Sequence, residues 1–422
     1  MDVRRTPMEK LFSISSVHPW PFFILMKKSS SKLHVLYLPR WYPHRYDPMM
    51  GLFIERHGLS VSKHVDISVL YVHADDELKG KSCEIVKSEE GLFTIRIYFK
   101  KSKLKPAFLA NLINMYRFIV NHRIGFKLLN QERRKADLLH VHVLTRLGVI
   151  ALINKIFHKT PYVITEHWTR YLPTTDTYHG TLRKFLTRMV VKNASAVLPV
   201  TANLRDAMID NGLTNDNYVV IPNVVNIEMF TPKYDRPVPS IKKMVHLSCF
   251  TDKQKNISGI LRVMKKLSQK RDDFELIFIG DGEDFDEMKA ISDNFGLTDK
   301  VVKFAGLKEN AELAEMLSDA DLMIMFSNFE NLPVVILESY ASGVPVVSTR
   351  VGGIHEHLNP QLGKLTKPGD EEEFLVTLDE VLDHLENYQR KRIREYAENH
   401  FSNEVIGNSL FKLYRAVATV RT

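Results

Sequence analysis

NFENLPVVILES, residues 328–339, is the most informative stretch of this chain. Two glutamates, Glu330 and Glu338, bracket an apolar run that contains Pro333. Proline is favoured at the first position of a helix, so the pattern predicts a helix from Pro333 to about residue 342. Glu330 then lies in the loop before the helix, and Glu338 lies more than one turn inside it. The two carboxylates do not share a helical face, but they can reach one ligand from two levels.

The start of this helix offers hydrogen-bond donors to a ligand. The first turn, whose free backbone N–H groups suit a phosphate, is formed around Leu332, Pro333, Val334 and Val335. Glu338 has mostly apolar neighbours, so its carboxylate needs partners, which the vicinal hydroxyls of a sugar would supply. In the alternative, Glu338 pairs with an arginine and Glu330 is solvated; the pattern alone leaves both open.

Short apolar strands alternate with helical segments on both sides of this stretch. In the second half of the chain, strands are predicted at 244–250, 274–280, 301–306, 321–327 and 344–350. In the first half, they are predicted at 32–39, 66–72, 93–99, 137–143, 161–167, 196–201 and 218–223. This alternation predicts an α/β fold with two doubly wound, Rossmann-like domains. Ligands of such sheets bind at the carboxyl ends of the strands, so we expect the site in the cleft between the domains.

The predicted boundaries divide the chain into five parts. Residues 1–32 are expected to be a disordered extension, of which 1–25 precede a natural-looking start at Met26, and no signal peptide is identified there. The first domain is expected at 33–225, and 226–243, with three prolines, is expected to be a linker. The second domain is expected at 244–400, and a C-terminal helix at 401–422 is expected to cross back to the first domain.

Three other turns of the second half carry candidate binding residues. Gly352 and Gly353 follow the strand at 344–350, and paired glycines let a backbone approach a ligand closely. Gly280 ends the strand at 274–280, where a nucleotide base would lie, although a tight turn is a sufficient explanation. Lys255 follows the strand at 244–250 and is placed to reach a phosphate, with Lys253 as a nearby competitor.

The second half resembles a family 4 glycosyltransferase of the GT-B fold. The resemblance is carried by SCFTDKQKN, IGDGEDFDEM, VKFAGL and the stretch from SDADLMIMFSNFENLPVVILES to VGGIHE. The two glutamates with seven residues between them are the signature of that family. LPRWYP, GLFIERH, HVHVLTRLGVIA and VITEHWTRYL match more weakly in the first half, and the resemblance covers roughly residues 33–420.

The resemblance implies a role for each candidate residue. Glu338 would hold the ribose of a nucleotide-sugar, and Glu330 would contact the donor sugar or its phosphate surroundings. Lys255 would neutralise the diphosphate, Gly51 would let backbone approach it, and His167 would face the reaction centre. Glu330, His167 and Lys255 are thus the expected catalytic residues. The family retains anomeric configuration by same-face attack of the acceptor hydroxyl, so no protein nucleophile, cofactor or metal is expected.

The family pattern also fixes the expected substrates and domain roles. The first domain would bind a glycan or lipid-linked acceptor, and the second would bind the nucleotide-sugar, in surface polysaccharide biosynthesis. Many members carry an arginine about five residues before the lysine; Phe250 stands there, and Lys253 would have to supply the charge. Two alternatives remain: a nucleotide-sugar epimerase on the same architecture, which the glutamate signature disfavours, and a non-catalytic, membrane-associated nucleotide-binding subunit, which Phe250 leaves open.

Charge and composition indicate an anionic partner. The net charge is +8, and residues 96–135 contain eleven Lys and Arg against one acid, with apolar residues interleaved. This region is either the basic outer face of a packed helix or a surface that rests on an anionic membrane. It lacks an RNA-recognition or helix-turn-helix pattern, so nucleic acid is not an expected partner. Two cysteines suggest no disulfide framework, which fits a reducing compartment, so a cytoplasmic protein is expected. On the membrane alternative, the basic region would hold it on the inner face.

Metal binding is not predicted from the sequence. Two Asp-x-Asp spacings, at 284–286 and 319–321, fall at the start of a surface helix and at the entry of a strand, away from the cleft. His140 and His142 share one face of a strand, where they would line the acceptor side or belong to the core. Two histidines alone do not make a metal site.

Overall fold

The structure, a computed structural model, describes residues 32–79, 82–144, 146–234 and 240–419. The extension expected at 1–32 lies outside these ranges except for Lys32. The chain forms two α/β domains, each built on one sheet, which confirms the predicted fold class. The linker expected at 226–243 overlaps the second sheet, whose first strand begins at Lys242, and its residues 235–239 lie outside the described ranges.

Within the described residues, the first domain contains a sheet of seven strands. They are β1 (His34–Pro39), β2 (Asp66–Asp75), β3 (Cys83–Ser88), β4 (Phe93–Lys100), β5 (Leu138–His142), β6 (Tyr162–Glu166) and β7 (Ala196–Pro199). The strand order is β3-β4-β2-β1-β5-β6-β7, and all neighbours are parallel except β3 and β4. The helices are α1 (Leu52–Val61), α2 (Ala107–Glu132), α3 (Arg146–His158), α4 (Thr181–Asn193) and α5 (Ala202–Asp210).

The described part of the second domain contains a six-stranded parallel sheet. Its strands are β8 (Lys242–Leu247), β9 (Phe274–Ile279), β10 (Val302–Gly306), β11 (Leu322–Met325), β12 (Val346–Thr349) and β13 (Gly363–Thr366). The strand order is β10-β9-β8-β11-β12-β13. The helices are α6 (Asp252–Lys255), α7 (Ile257–Leu267), α8 (Phe285–Asn294), α9 (Asn310–Ser318), α10 (Val334–Ala341), α11 (Ile354–His357), α12 (Glu371–Asp383), α13 (Arg390–Phe401) and α14 (Asn403–Thr419).

Strand order places the candidate residues. It reverses between β1 and β5 in the first sheet and between β8 and β11 in the second. The loops that follow these strands meet at one edge, which is where ligands of doubly wound sheets bind. Lys255 follows β8 and Glu330 follows β11, so the two residues lie on either side of the second reversal.

The C-terminal helices connect the two domains. α13 packs against α10, and α14 packs against α1 of the first domain. A Cβ at Gly407 would lie 2.1 Å from the carbonyl oxygen of Ser60, so the two helices need glycine to approach this closely. The Tyr414 hydroxyl lies 2.8 Å from the Tyr37 hydroxyl, inside the first domain.

One predicted strand is wrong, and two strands were not predicted. Residues 218–223 lie beside β7, where Val219 N–H donates to the Val197 carbonyl, but they form no regular strand. Pro199 in β7 accepts from the Ile221 N–H but has no N–H of its own, so it cannot complete a regular two-way ladder. The two strands that were not predicted, β3 and β13, are short and contain several half-buried residues. Neither contains a continuous apolar run. None of the helices in the described residues is long and apolar enough to cross a membrane.

Candidate active site

Asn331 joins the two domains at the bottom of the cleft. Its Nδ2 donates to the carbonyl oxygen of His167 at 3.0 Å. The Thr201 hydroxyl donates to its Oδ1 at 2.9 Å and accepts from the Leu204 N–H at the start of α5. One side chain from the 328–339 stretch therefore holds two loops of the first domain against the second.

Glu330 and Lys255 form a buried ion pair. The distance between Lys255 Nζ and Glu330 Oε1 is 2.5 Å, and their side chains are 9% and 7% exposed. The alternative of a solvated Glu330 is therefore wrong. Burial alone would lower the pKa of Lys255, but the charge of Glu330, with a smaller effect of Cys249, raises it above its usual value. Two residues expected to act separately on the donor thus neutralise each other in this structure.

Glu338 pairs across the cleft with Arg56 of α1. Arg56 Nη1 lies 2.7 Å from Glu338 Oε1, and the two side chains are 19% and 6% exposed. The arginine partner considered for Glu338 therefore exists, and it comes from the other domain. A carboxylate has about four acceptor positions, so this contact leaves room for ribose hydroxyls.

The start of α10 is open to the cleft. The helix begins at Val334, one residue later than predicted, and Pro333 directly precedes it. Leu332 is buried and its carbonyl accepts from Asn223 Nδ2 at 2.9 Å, so it anchors the turn to the first domain. Val334 and Val335 are only half-buried, and their N–H groups belong to the first helical turn, where intrahelical acceptors are lacking.

Three histidines of the first domain converge opposite Glu330 and Asn331. One ring nitrogen from each of His57, His142 and His167 lies within 4.8 Å of the others. Burial and the neighbouring imidazoles hold the pKa of His142 and His167 well below the usual range, and burial lowers that of His57 to about 4. All three rings are therefore neutral at pH 7 and can donate or accept hydrogen bonds. Neutral imidazole rings are also common zinc ligands. The expectation that no metal is bound stays a prediction.

The two histidines considered together in the sequence have separate environments. His140 is fully buried, and its two ring nitrogens contact the Tyr414 hydroxyl at 2.6 Å and the Thr165 hydroxyl at 2.7 Å. His140 therefore has a structural role, whereas His142 is fully buried with neither ring nitrogen hydrogen-bonded to a described residue.

The sequence matches two models of known protein families. Residues 242–400 match the model described as glycosyl transferases group 1, and residues 80–224 match the glycosyl transferase 4-like domain. The chain belongs to the group 1 glycosyltransferases. The resemblance drawn from the glutamate spacing is thereby confirmed, and the chain is an enzyme.

Relatives and solved structures agree with this assignment. This glycosyltransferase is 26% identical over 300 residues to an N-acetyl-alpha-D-glucosaminyl L-malate synthase of Bacillus anthracis, covering 67% of this chain and 75% of the relative. It is 24% identical over 223 residues to a lipopolysaccharide 1,6-galactosyltransferase of Salmonella typhimurium, covering 51% and 60%.

Two solved structures share the fold. One is a sucrose-phosphate synthase of Thermosynechococcus elongatus, with a TM-score of 0.73, 16% identity, and coverage of 92% of this chain and 100% of that one. The other is Anabaena HepE in complex with UDP, with a TM-score of 0.68, 17% identity, and coverage of 91% and 100%. The GT-B architecture predicted from the sequence is confirmed.

Protein packing requires glycine at the four positions of the glycosyltransferase that were expected to approach the donor. Gly352 has a left-handed φ of 53°, and a Cβ there would lie 2.1 Å from the Glu330 carbonyl oxygen. A Cβ at Gly353 would lie 2.2 Å from Thr201 Cγ2, in the other domain. Gly280 follows β9 and Gly51 directly precedes α1, each with protein backbone where a Cβ would point. Close approach of a ligand is thus not the only reason for glycine at these four positions.

The place of the missing arginine is filled by a core residue. Phe250 is fully buried and packs against Phe285, with ring centroids 4.8 Å apart. Lys253 is exposed on α6, and no ion pair among the described residues includes its side chain. Position 250 therefore carries no charge that could face a diphosphate.

Sequence reasoning missed four residues of the cleft. Arg56 and His57 lie inside GLFIERH, which matched the family, but only the helix packing shows that Arg56 contacts Glu338 of the second domain and that His57 contacts the Pro222 carbonyl oxygen. Glu356 accepts from the N–H groups of Ala202 and Asn203, at 2.8 and 2.7 Å, and caps α5 from the other domain. Glu166 accepts three backbone N–H groups, from residues 144, 167 and 168, and burial raises its pKa to about 7.

Proposed function

We propose that this glycosyltransferase retains configuration and moves a sugar from a nucleotide-sugar to a glycan or lipid-linked acceptor, in surface polysaccharide or glycoconjugate biosynthesis. The observation that carries the proposal is the placement of the Glu330–Lys255 pair, Glu338 and the start of α10 around one edge of the second sheet. The HepE complex with UDP and the lipopolysaccharide galactosyltransferase among the relatives support it. Membership of a transferase family decides against the epimerase and the non-catalytic subunit.

The donor nucleotide would be held by both domains. Glu338 accepts hydrogen bonds from the ribose while it keeps its contact with Arg56. Only one of the five guanidinium N–H groups of Arg56 is used in that contact, so the others can reach the diphosphate. Arg56 thereby supplies the second cation that Phe250 cannot.

The chemistry requires stabilisation of the leaving nucleoside diphosphate. Lys255 has three N–H donors, of which one contacts Glu330, so the ammonium can bind a phosphate oxygen and Glu330 at once. The N–H groups at the start of α10 add fixed positive potential, and such preorganised donors lower the barrier as charge develops. Glu330 and the neutral His167 would hydrogen-bond the hydroxyls of the donor sugar. The acceptor hydroxyl then attacks from the face that the diphosphate leaves, with no protein nucleophile.

A peripheral site on the inner face of the membrane is the proposed location. Phe108, Leu112 and Tyr116 are spaced four apart on α2 and are 61%, 62% and 69% exposed. They lie within the basic region 96–135. This surface fits an anionic membrane. Flotation with anionic liposomes that is lost at high salt is expected; equal flotation with neutral liposomes, or none with either, would contradict it.

A panel of nucleotide-sugars tests the function. Binding to the native state raises the melting temperature, so the true donor identifies itself by stabilisation, and product analysis with candidate acceptors follows. Stabilisation is expected to be lost in Glu338→Ala and kept in Glu395→Ala, an exposed glutamate of α13 that serves as the control. Transfer is expected to continue in EDTA, since Lys255 and Arg56 neutralise the diphosphate. If no nucleotide-sugar stabilises the protein, or if Glu338→Ala responds like the wild type, the proposal is wrong.

A further inference from the structure

Four arginines line one pocket of the first domain. The pocket has a volume of about 430 Å³ and lies between α3, α4 and the loop after β1. Its cations are Arg40, Arg146, Arg170 and Arg183. The rest of its lining is one threonine and the apolar side chains of Leu144, Val149, Leu182, Leu186 and Val190. No carboxylate lines the pocket, and none of the four arginines forms an ion pair among the described residues.

Two of these arginines are fixed against one aromatic ring. The guanidinium carbons of Arg40 and Arg170 lie 4.6 and 3.4 Å from the ring centroid of Trp168. The Nε of each is buried without a hydrogen-bond partner in the described residues. Burial, and then the charges of Arg170 and Arg146, lower the pKa of Arg40. Two guanidinium groups held together at a half-buried site cost free energy in the absence of an anion.

One acid acts on the group but does not neutralise it. The charge of Glu166 reaches Arg40 and Arg170, but its carboxylate already accepts three backbone N–H groups. Burial raises the pKa of Glu166 to about 7, so part of the population carries no charge at neutral pH. The pocket therefore keeps a positive excess that a ligand can compensate.

The pocket adjoins the proposed reaction centre. Arg40 follows β1, and its N–H donates to the carbonyl oxygen of His142 at 3.1 Å. Trp168, on which the two arginines stack, is the next residue after His167. A group bound here would hold a molecule on the first-domain side of the cleft, opposite the donor.

We propose that this pocket binds a phosphate or diphosphate group of the acceptor, an inference that rests on the proposed transfer reaction. Guanidinium groups form paired hydrogen bonds with phosphate oxygens, and four of them suit a group with more than one negative charge. The apolar wall fits a hydrocarbon chain attached to that phosphate. Leu182 and Phe185 of α4 are 69% and 63% exposed and extend the apolar surface beside the opening. The phosphate comes from either a lipid-linked or a soluble acceptor.

Tryptophan fluorescence gives a direct test, because Trp168 is in contact with Arg40 and Arg170 and the chain has three tryptophans. Inorganic pyrophosphate and farnesyl diphosphate are titrated separately into the full chain carrying Lys255→Ala, which weakens binding at the donor site. Saturable quenching is expected with both. Tighter binding of farnesyl diphosphate identifies a lipid-linked source, and equal binding identifies a soluble one; either result supports the phosphate site.

Variants decide whether the arginines are responsible. Arg40→Gln is expected to weaken both probes at least tenfold, and Arg183→Gln, an exposed position that folding tolerates, severalfold. Arg392→Gln removes the same charge from an exposed site on α13 and is expected to bind as the parent does. Absence of saturable quenching, or equal binding by Arg183→Gln and Arg392→Gln, overturns the proposal.

The result is independent of the donor site. If the probes bind as expected and no nucleotide-sugar stabilises the wild type, the proposed function fails and the phosphate pocket stands. If nucleotide-sugars bind and the arginine variants leave both probes unaffected, the pocket proposal alone is wrong.

Discussion

Replacing Glu330 by alanine should change nucleotide binding and sugar transfer in opposite directions. The Lys255 ammonium loses its 2.5 Å partner in a place where both side chains are less than a tenth exposed. Removal of one member of a buried ion pair costs about 3–5 kcal/mol of unfolding free energy. Because this pair borders the cleft, water can reach the freed ammonium, and we expect a cost near the lower value. Most domains are stable enough to remain folded after such a loss.

The freed Lys255 then has its full charge available for a diphosphate. A hydrogen bond to a charged group contributes about 1.5–3 kcal/mol, and 1.4 kcal/mol corresponds to a factor of ten. We therefore expect Glu330→Ala to bind a nucleoside diphosphate about tenfold more tightly than the wild type. Transfer should fall all the same, because Glu330 no longer holds the donor sugar.

Titration calorimetry with the nucleoside diphosphate of the true donor and a transfer assay measure the two effects. Glu395→Ala removes one exposed negative charge from the same domain and corrects for the change in net charge. Lys255→Ala should weaken binding and transfer together. If Glu330→Ala binds the diphosphate no more tightly than Glu395→Ala, Lys255 does not face the phosphates and the charge argument fails.

Three further predictions concern the cleft and its supports. Glu338→Ala should weaken nucleoside diphosphate binding about 100-fold, through the loss of two charge-assisted hydrogen bonds of about 1.5 kcal/mol each. Its double-mutant cycle with Arg56→Ala should show about 1–2 kcal/mol of coupling in denaturant unfolding; zero coupling would mean that the 2.7 Å pair contributes nothing. For Glu166, the folded pKa of about 7 lies above the ordinary 4.5, so the folded state binds more protons and stability falls as pH rises between these values. Relative to Glu166→Gln, the wild type should lose about 3 kcal/mol between pH 4.5 and 7.5, and a difference constant with pH would refute this. Gly353→Ala should cost about 1–3 kcal/mol and weaken donor binding, since its Cβ would lie 2.2 Å from Thr201 Cγ2; Thr201→Ser, which removes that methyl group, should partly restore both, and no restoration would contradict the packing argument.

The elements around the site could be predicted because each rests on local pattern. Buried parallel strands are continuous apolar runs, so β8, β9 and β11 were found within a few residues. The helix after Pro333 was found because proline fixes its start. The run at 218–223 has the same composition, but Pro199 on the neighbouring strand prevents regular pairing. A property of the partner strand is not visible in the run itself.

The partners of the two glutamates could not be predicted. Lys255 and Glu330 are 75 residues apart, and Arg56 and Glu338 are 282 apart, so only the packing of sheets and domains brings them together. Lys255 was identified as a phosphate ligand, but its pairing with Glu330 needed the strand order β8-β11. Arg56 had no distinguishing local feature beyond its position one turn after Gly51.

The 328–339 stretch connects donor binding to the position of the domains, because neighbouring residues serve both. Asn331 holds the loops of His167 and Thr201, while Glu330, the residue before it, pairs with Lys255. Glu338 contacts Arg56 of the opposite domain. The proposed donor contacts, Lys255 and Arg56, are thus the residues already paired with Glu330 and Glu338. If they bind the phosphates as proposed, a change in the position of the two domains should alter donor affinity, since one short segment contacts both.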